Sequence, residues 1–331
     1  MDIDFVVTWV DGDDPAWQAE KKKYKPDAGN DARSVRYRDW GLLPYWFRGV
    51  EKFAPWVRKI HFVTWGHLPP WLDTSNPKLH IVNHRDYIPE EYLPTFCSDT
   101  IELFMHRIPG LSEHFVYFND DCFCIAPLKE DDFFHNGLPR DMLALQPVIA
   151  NPISPNMSYA FLNNSMLLAR HFSKRENIRK QPWAYYHLGY PPKYFFYNIL
   201  EYAFPQITGF YTAHGPAPFC KESFRQIWKA EGEYLSKAQL GKFRDREHIT
   251  QYAVREWQKL SGQFVPTNVH RQFAYYELSD QNDQLMRILS ARKKKMICIN
   301  DANTEIDFKK VKQEQIQAFQ SILPEKSSFE R

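Results

Sequence analysis

Phe115-Val116-Tyr117-Phe118-Asn119-Asp120-Asp121 is an aromatic and β-branched run that breaks off at an amide and two adjacent carboxylates. The four leading residues suit a buried strand. Carboxylates side by side at its end are costly unless hydrogen bonds or a cation compensate them, and a hard divalent ion does so through oxygen ligands. The competing reading is that one aspartate caps the next segment while the other stays in water.

The same arrangement opens the chain. Ile3-Asp4-Phe5-Val6-Val7-Thr8-Trp9-Val10 is strand-like and stops at Asp11-Gly12-Asp13-Asp14-Pro15, although Asp-Gly and Asp-Pro steps are also good turn makers in their own right. Between the two runs the spacing predicts a helix over Leu42 to Phe53 with Pro44 in its first turn. It then predicts short strands over Lys59 to Trp65 and Leu79 to Val82 on either side of Pro69-Pro70, and a helix over Cys97 to Ile108 capped by Thr95 or Ser98. Strands that alternate with helices and end in polar residues predict an α/β, Rossmann-like sheet with its ligand site at the carboxyl ends of the strands. In nucleotide-sugar enzymes of the GT-A type a short acidic motif after a core strand bridges a metal to the donor diphosphate. The fold expectation is therefore a GT-A-like nucleotide-sugar-binding sheet with helical, aromatic-rich elaborations.

Residues 1–146 are expected to form the nucleotide-sugar-binding part, and residues 147–331 an acceptor-side and helical part that completes the same catalytic unit. The second part begins loosely, with Trp183, Tyr185, Tyr186, Tyr190, Tyr194 and Phe195 among prolines. A mostly helical portion follows from Lys221 to Leu260, and a helix is predicted over Phe308 to Ile322. Met296-Ile297-Cys298-Ile299 repeats the pattern of an apolar strand ended by Asn300-Asp301-Ala302-Asn303, which serves as an acidic turn or as a cap for the helix at Phe308. Arg292-Lys293-Lys294-Lys295 reads as a solvated charge run.

The 331 residues are 44% apolar and 25% charged, with a formal net charge of +2, so nothing points to nucleic acid as a partner. Aromatic residues reach 16%, high for rings that only fill a core. Five cysteines in no paired pattern fit a reducing compartment, with cytoplasm as the expectation. Cys122 and Cys124 read as small buried side chains on one strand face, with no metal assigned to them. The strand pattern begins too early for a signal peptide, and no stretch approaches the ~20 apolar residues of a membrane span.

Three further features are candidates for chemistry. His214-Gly215-Pro216 lies between aromatic segments in a loop that favours a fixed, exposed imidazole, suited to a general base or a phosphate contact, or else is plain polar surface. Glu102 sits on the helix before the Asn119-Asp120-Asp121 strand, where a glutamate commonly faces solvent. Arg244-Asp245-Arg246-Glu247 forms a surface charge lattice unless one arginine neutralises a transferring phosphoryl group.

Taken in order, four blocks resemble the Stealth family of capsular polysaccharide phosphotransferases, which includes the catalytic part of the animal GlcNAc-1-phosphotransferase. They are Ile3 through Gly12; Phe53-Ala54-Pro55-Trp56-Val57-Arg58-Lys59-Ile60 on to Asn119-Asp120-Asp121; Ser154-Pro155-Asn156 with His214-Gly215-Pro216; and Asn300-Asp301-Ala302-Asn303 onward. The resemblance covers nearly the whole chain. It implies transfer of a hexose-1-phosphate from a UDP-sugar such as UDP-GlcNAc to a hydroxyl of a capsular or exopolysaccharide, with a phosphodiester and UMP as products.

The resemblance implies catalytic parts for Glu102, Asp121, His214 and Arg244. Asp120, Asp121 and Asp301 are the expected ligands of Mg2+ or Mn2+, and Asp11, Arg38, Asp39, Arg48, Asn163 and Asn303 the expected substrate contacts. Arg38, Asp39 and Arg48 match a family block whose middle, Trp40 to Phe47, differs here. Expected partners are the UDP-sugar donor and a carbohydrate acceptor, with peripheral association with capsule-assembly machinery at the inner face of the membrane. Two other readings remain open: a GT-A-like glycosyltransferase that attacks carbon and releases UDP, and a non-catalytic carbohydrate-binding module built on the aromatic stretch.

Overall fold

The structure is a computed structural model that describes residues 1–24, 26, 31–33, 37–152, 155–301 and 306–331. Its first part runs β1 (Ile3–Thr8), α1 (Pro15–Lys22), α2 (Leu43–Phe53), β2 (Ile60–Thr64), β3 (Leu79–Asn83), α3 (Ser98–Leu103), β4 (His114–Phe118), β5 (Cys122–Cys124), β6 (Phe134–His135), β7 (Leu138–Asp141) and β8 (Ala144–Leu145). The remainder runs α4 (Pro155–Ala169), α5 (Lys174–Lys180), α6 (Pro182–Tyr185), α7 (Pro192–Glu201), β9 (Phe210–Tyr211), β10 (Ala217–Cys220), α8 (Lys221–Ala238), α9 (Gln251–Leu260), β11 (Val265–Pro266), β12 (Phe273–Glu277), α10 (Asp283–Ala291), β13 (Met296–Asn300) and α11 (Phe308–Ile322).

The main sheet has the order β10-β4-β1-β2-β3. β1 pairs in parallel with both β2 and β4, and β2 with β3, whereas β10 joins β4 antiparallel. Alternate residues of the parallel strands enter opposite cores. Phe5, Val7, Phe62 and Phe118 pack with Trp46 and Phe47 of α2, while Val6, Val63, Phe115 and Tyr117 pack with Leu103 of α3 and with α8 and α9. Both faces being covered, these strands are apolar throughout, as parallel strands require. The chain leaves β1 toward β2 and β3 and returns on its other side as β4. A crevice thus opens between the carboxyl ends of β1 and β4, the place where open α/β sheets bind ligands.

The expected α/β sheet is present, and the helices over α2 and α11 run as the spacing predicts. One expectation needs correction. The helix expected over Cys97 to Ile108 ends at Leu103 and continues as a 3-10 turn over Met105–Arg107, because Phe104 leaves the helix to pack its ring against Tyr92 and Trp228. Neither Thr95 nor Ser98 caps it: Thr95 Oγ1 accepts from the Cys97 amide, and Ser98 Oγ is engaged by Arg244. The mostly helical portion expected over Lys221 to Leu260 is present as two helices, and the loop between them carries Arg244. A small three-stranded sheet, β12-β13-β5, sets β13 antiparallel to the strand that follows Asp121.

Candidate active site

The carboxyl end of β4 holds Asn119, Asp120 and Asp121, and the register of β10 brings the histidine to them. Ala217 lies opposite Tyr117 in an antiparallel pair, so extending that register three residues sets His214 beside Asp120. Gly215 allows the approach, since a Cβ there would meet the Phe273 ring at 2.5 Å. Arg255 secures the preceding residue: its guanidinium grips Asp141 of β7 and donates through Nη1 to the Ala213 carbonyl at 2.8 Å.

His214 is held at both ring nitrogens. Nε2 lies 3.2 Å from Asp121 Oδ2, and Nδ1 lies 2.9 Å from the Tyr252 hydroxyl on α9. The imidazole is therefore pinned rather than freely exposed. Burial disfavours its cation, but Tyr252, Asp121 and Cys298 outweigh burial and hold its proton affinity well above the ordinary histidine value. Burial likewise pushes the Asp121 carboxyl up, yet the His214 charge and the hydrogen bonds from His214, Cys122 and Cys298 leave it below the usual carboxylate range. Cys122 and Cys298 donate to its two oxygens at 3.2 and 3.3 Å. Burial, then Cys298 and Asp121, hold the Cys122 thiol well above its ordinary value, which keeps it an S–H donor to Asp121 in the metal-free protein.

Asp120 has a different environment. Burial first, then the neighbouring Asp121 and Asp39, push its carboxyl up to about 7. Asp39 is itself raised by burial and by the charges of Asp11 and Asp13. Asp11 belongs to the loop after β1, where its backbone N–H donates to His67 Nε2 at 2.9 Å and its own Oδ1 accepts from Asp13. A Cβ on Gly12 would clash with the Tyr37 carbonyl, so this loop needs glycine there. Asp14 takes the capping role, accepting from Trp17 N at the start of α1.

Asp301 follows β13, whose Ile299 N–H donates to the Asp121 carbonyl at 2.8 Å, and Arg38 reaches Asp301 Oδ1 at 3.4 Å. Asp11, Asp39, Asp120 and Asp121 lie near enough for their charges to act on one another in turn, and Asp301 follows the strand that pairs beside Asp121. The adjacent carboxylates and the raised Asp120 fit a divalent cation, which would relieve the repulsion between them, and Asp121 also stands with Cys122 and Cys298 as a group that could hold one.

Glu102 is buried, against the expectation that it faces solvent. Tyr117 of β4 donates to its Oε1 at 3.0 Å, and Thr8 Oγ1 of β1 stands 3.2 Å from the same hydroxyl. Burial and then Asp99 raise the Glu102 carboxyl to about 8, while Arg244, Tyr117 and His214 pull the other way. Arg244 is no part of a surface lattice. Its Nε and Nη2 engage Asp99 at 3.1 and 3.2 Å, and Nη2 donates to Ser98 Oγ at 2.7 Å.

Two expected substrate contacts lie apart from this cluster. Arg48 forms a two-pronged pair with Glu330 at 2.7 and 2.8 Å and donates to the Leu323 carbonyl, so it braces α2 to the C-terminal segment. Arg48→Ala is expected to cost about 2–4 kcal/mol of stability by leaving Glu330 unpaired, seen as a lower Tm with an unchanged KM; a raised KM would return Arg48 to the substrate site. Asn163 of α4 donates to the carbonyls of Arg246 and His248, which positions the Arg244 loop. Asn303 and Ser154 lie outside the described residues.

Sequence reasoning missed Tyr252, Tyr117, Asp99 and His67. Only α9 carried a signal: Arg255, Glu256 and Lys259 lie among apolar residues, and every residue of that helix is buried.

With this geometry the chain can be placed among known proteins. The model of Stealth protein CR1, conserved region 1, matches residues 1–29, and that of Stealth protein CR2, conserved region 2, matches residues 36–141. The capsular polysaccharide phosphotransferase WcwK of Streptococcus pneumoniae is 39% identical over 99% of this chain and 98% of its own length. The receptor polysaccharide phosphotransferase WefC of Streptococcus oralis is 38% identical over 99% of both chains. Among solved structures, the galactosyltransferase LgtC with donor and acceptor sugar analogs covers 96% of this chain at 11% identity and a TM-score of 0.41. These relatives make the chain a transferase, and it belongs to the Stealth protein family.

Proposed function

We propose that this protein transfers a hexose-1-phosphate from a UDP-sugar, UDP-GlcNAc or a similar donor, to a hydroxyl of a capsular or exopolysaccharide. The observation that carries this reading is the pairing of His214 with Asp121 beside the raised Asp120 at the carboxyl end of β4, in a chain that aligns end to end with polysaccharide phosphotransferases. The acceptor oxygen attacks the β-phosphorus, and the bond from that phosphorus to the bridging oxygen breaks. UMP leaves with that oxygen, and the sugar's anomeric carbon–oxygen bond stays intact. Such a reaction is mainly positioning and charge neutralisation.

Asp120, Asp121 and Asp301 would hold Mg2+ or Mn2+. An ion held there would offset the diphosphate charge and share the negative charge of Asp121, and His214 would then hold its proton less tightly. Neutral His214, oriented by Tyr252, then accepts the proton of the acceptor hydroxyl. Glu102, which holds its own proton near neutral pH, is the second group able to exchange one. Arg244 supplies positive charge beside it, and Asp11, Arg38 and Asp39 border the donor side. The five cysteines are free thiols, in keeping with a cytoplasmic setting where nucleotide sugars are made.

The test is to incubate the protein with a panel of UDP-sugars, Mg2+ or Mn2+ and capsule oligosaccharides, and to assay the nucleotide product. UMP is expected. UDP would overturn this reading in favour of glycosyl transfer.

Ion binding has a readout independent of turnover. In the metal-free protein Asp120 is held at about 7, above its unfolded value of ~3.9, so its contribution to stability falls as pH rises from about 4 through 7. An ion that displaces this proton binds better above that range. The Tm increment from Mg2+ or Mn2+ over EDTA is therefore expected to be larger at pH 8 than at pH 6, and to shrink in Asp120→Asn. An increment indifferent to both would remove Asp120 from the ligand set.

A further inference from the structure

α7 is built inside out. Two of its polar residues face the protein: Asn198 is fully buried, with its side chain bonded to Leu143 O, Tyr185 O and Leu145 N, and Glu201 is buried beside Lys174. Its apolar residues face out. Phe196 is 60% exposed and Leu200 66%, one helical turn apart, with Ile199 and Phe204 exposed alongside. In the neighbouring α6 and the loop after it, Trp183 is 64% and Leu188 90% exposed. These elements form one surface. Asn198 ties α7 to the Tyr185 carbonyl, the Tyr186 and Phe195 rings meet at 6.3 Å, and Lys174 at the start of α5 donates to the Glu201 carbonyl at 2.7 Å.

Leaving so many large apolar side chains in water, while spending the helix's polar face inward, is unfavourable unless something covers them. The charge around them says what. Arg175, Arg179, Lys180 and Lys193 are exposed on α5 and α7, and the exposed acid between residues 174 and 204 is Glu176 alone. Apolar anchors, a tryptophan and a surplus of cations on one face match the interface of an anionic bilayer. Among the described residues no helix is long and apolar enough to cross a membrane, so contact of this kind is peripheral.

We propose that the α5–α7 face docks on the surface of an anionic lipid bilayer, with Trp183, Leu188, Phe196 and Leu200 entering the headgroup boundary and Arg175, Arg179, Lys180 and Lys193 meeting lipid phosphates. The assignment does not depend on which bond the active site cuts.

The test uses the full chain with vesicles of phosphatidylglycerol and phosphatidylcholine, or of phosphatidylcholine alone, in co-sedimentation, alongside its mass in solution by light scattering. The wild type is expected to bind the phosphatidylglycerol vesicles at least about tenfold better than the neutral ones, and less well as salt rises. The variants Leu188→Ser/Phe196→Ser/Leu200→Ser and Lys180→Glu/Lys193→Glu should each lose at least about tenfold in vesicle binding, with an unchanged or higher Tm because the altered side chains are exposed. Equal binding to both vesicle types, no binding by the wild type, or unimpaired binding by the triple variant each overturns the proposal. A wild-type dimer that the triple variant dissociates would assign the face to a second copy instead.

Discussion

Asp121→Asn is expected to lower kcat by about a thousandfold or more while the protein stays folded. Asp121 faces His214 through Oδ2, accepts the Cys122 and Cys298 thiols, and adjoins the raised Asp120. The amide keeps the shape and part of the hydrogen bonding but none of the charge. The His214 cation then loses the carboxylate that favours it, so its proton affinity in the metal-free protein falls and the neutral ring persists to lower pH. NMR titration of the His214 ring in wild type and variant reads this directly. Affinity for Mg2+ or Mn2+ should drop as well, measured by calorimetry or by loss of the Tm increment. Wild-type turnover in Asp121→Asn would sink the proposed site whatever the fold.

Arg244→Ala should fail on two counts. It strands the Asp99 carboxylate in a buried setting without the guanidinium that pairs it, a loss of about 3–5 kcal/mol. It also removes positive charge beside the reacting group, for a further loss of about 10²–10³ in kcat. The two effects separate in a paired change. In Asp99→Asn/Arg244→Met the buried charge imbalance is largely removed, and Tm should recover toward wild type. If Arg244 acts on the phosphoryl group, activity stays lost in that variant; if the arginine only balances Asp99, activity returns with stability. Arg244→Lys keeps the charge but not the fork that spans Asp99 and Ser98, and is expected to fall between the two.

Much of the scaffold was legible from local pattern. The alternation in Ile3 to Thr8 and in Phe115 to Phe118 assigns successive residues to opposite sheet faces, and the two hydrophobic cores divide these residues in that way. The aspartates after β1 and β4 mark the carboxyl ends where a parallel sheet opens. The pattern misled where packing overrode spacing. Phe104 breaks the expected long helix, and Glu102, on a face that looks polar, is turned inward against Tyr117.

What the amino-acid order determined by itself is the strands and helices of strongest period and the acidic strand ends, because period and turn chemistry depend on residues a few positions apart. Only the tertiary structure decided which side chains face those ends. His214 meets Asp121 because β10 runs antiparallel to β4, Tyr252 reaches the ring from α9, and Arg244 meets Asp99 because two helices part around its loop. The same holds for α7, whose apolar stripe would predict a core helix until packing puts Asn198 inside and Leu200 outside. Contacts between residues so distant in sequence are set by sheet register and by the sum of burial over the whole molecule, and no local window carries that information.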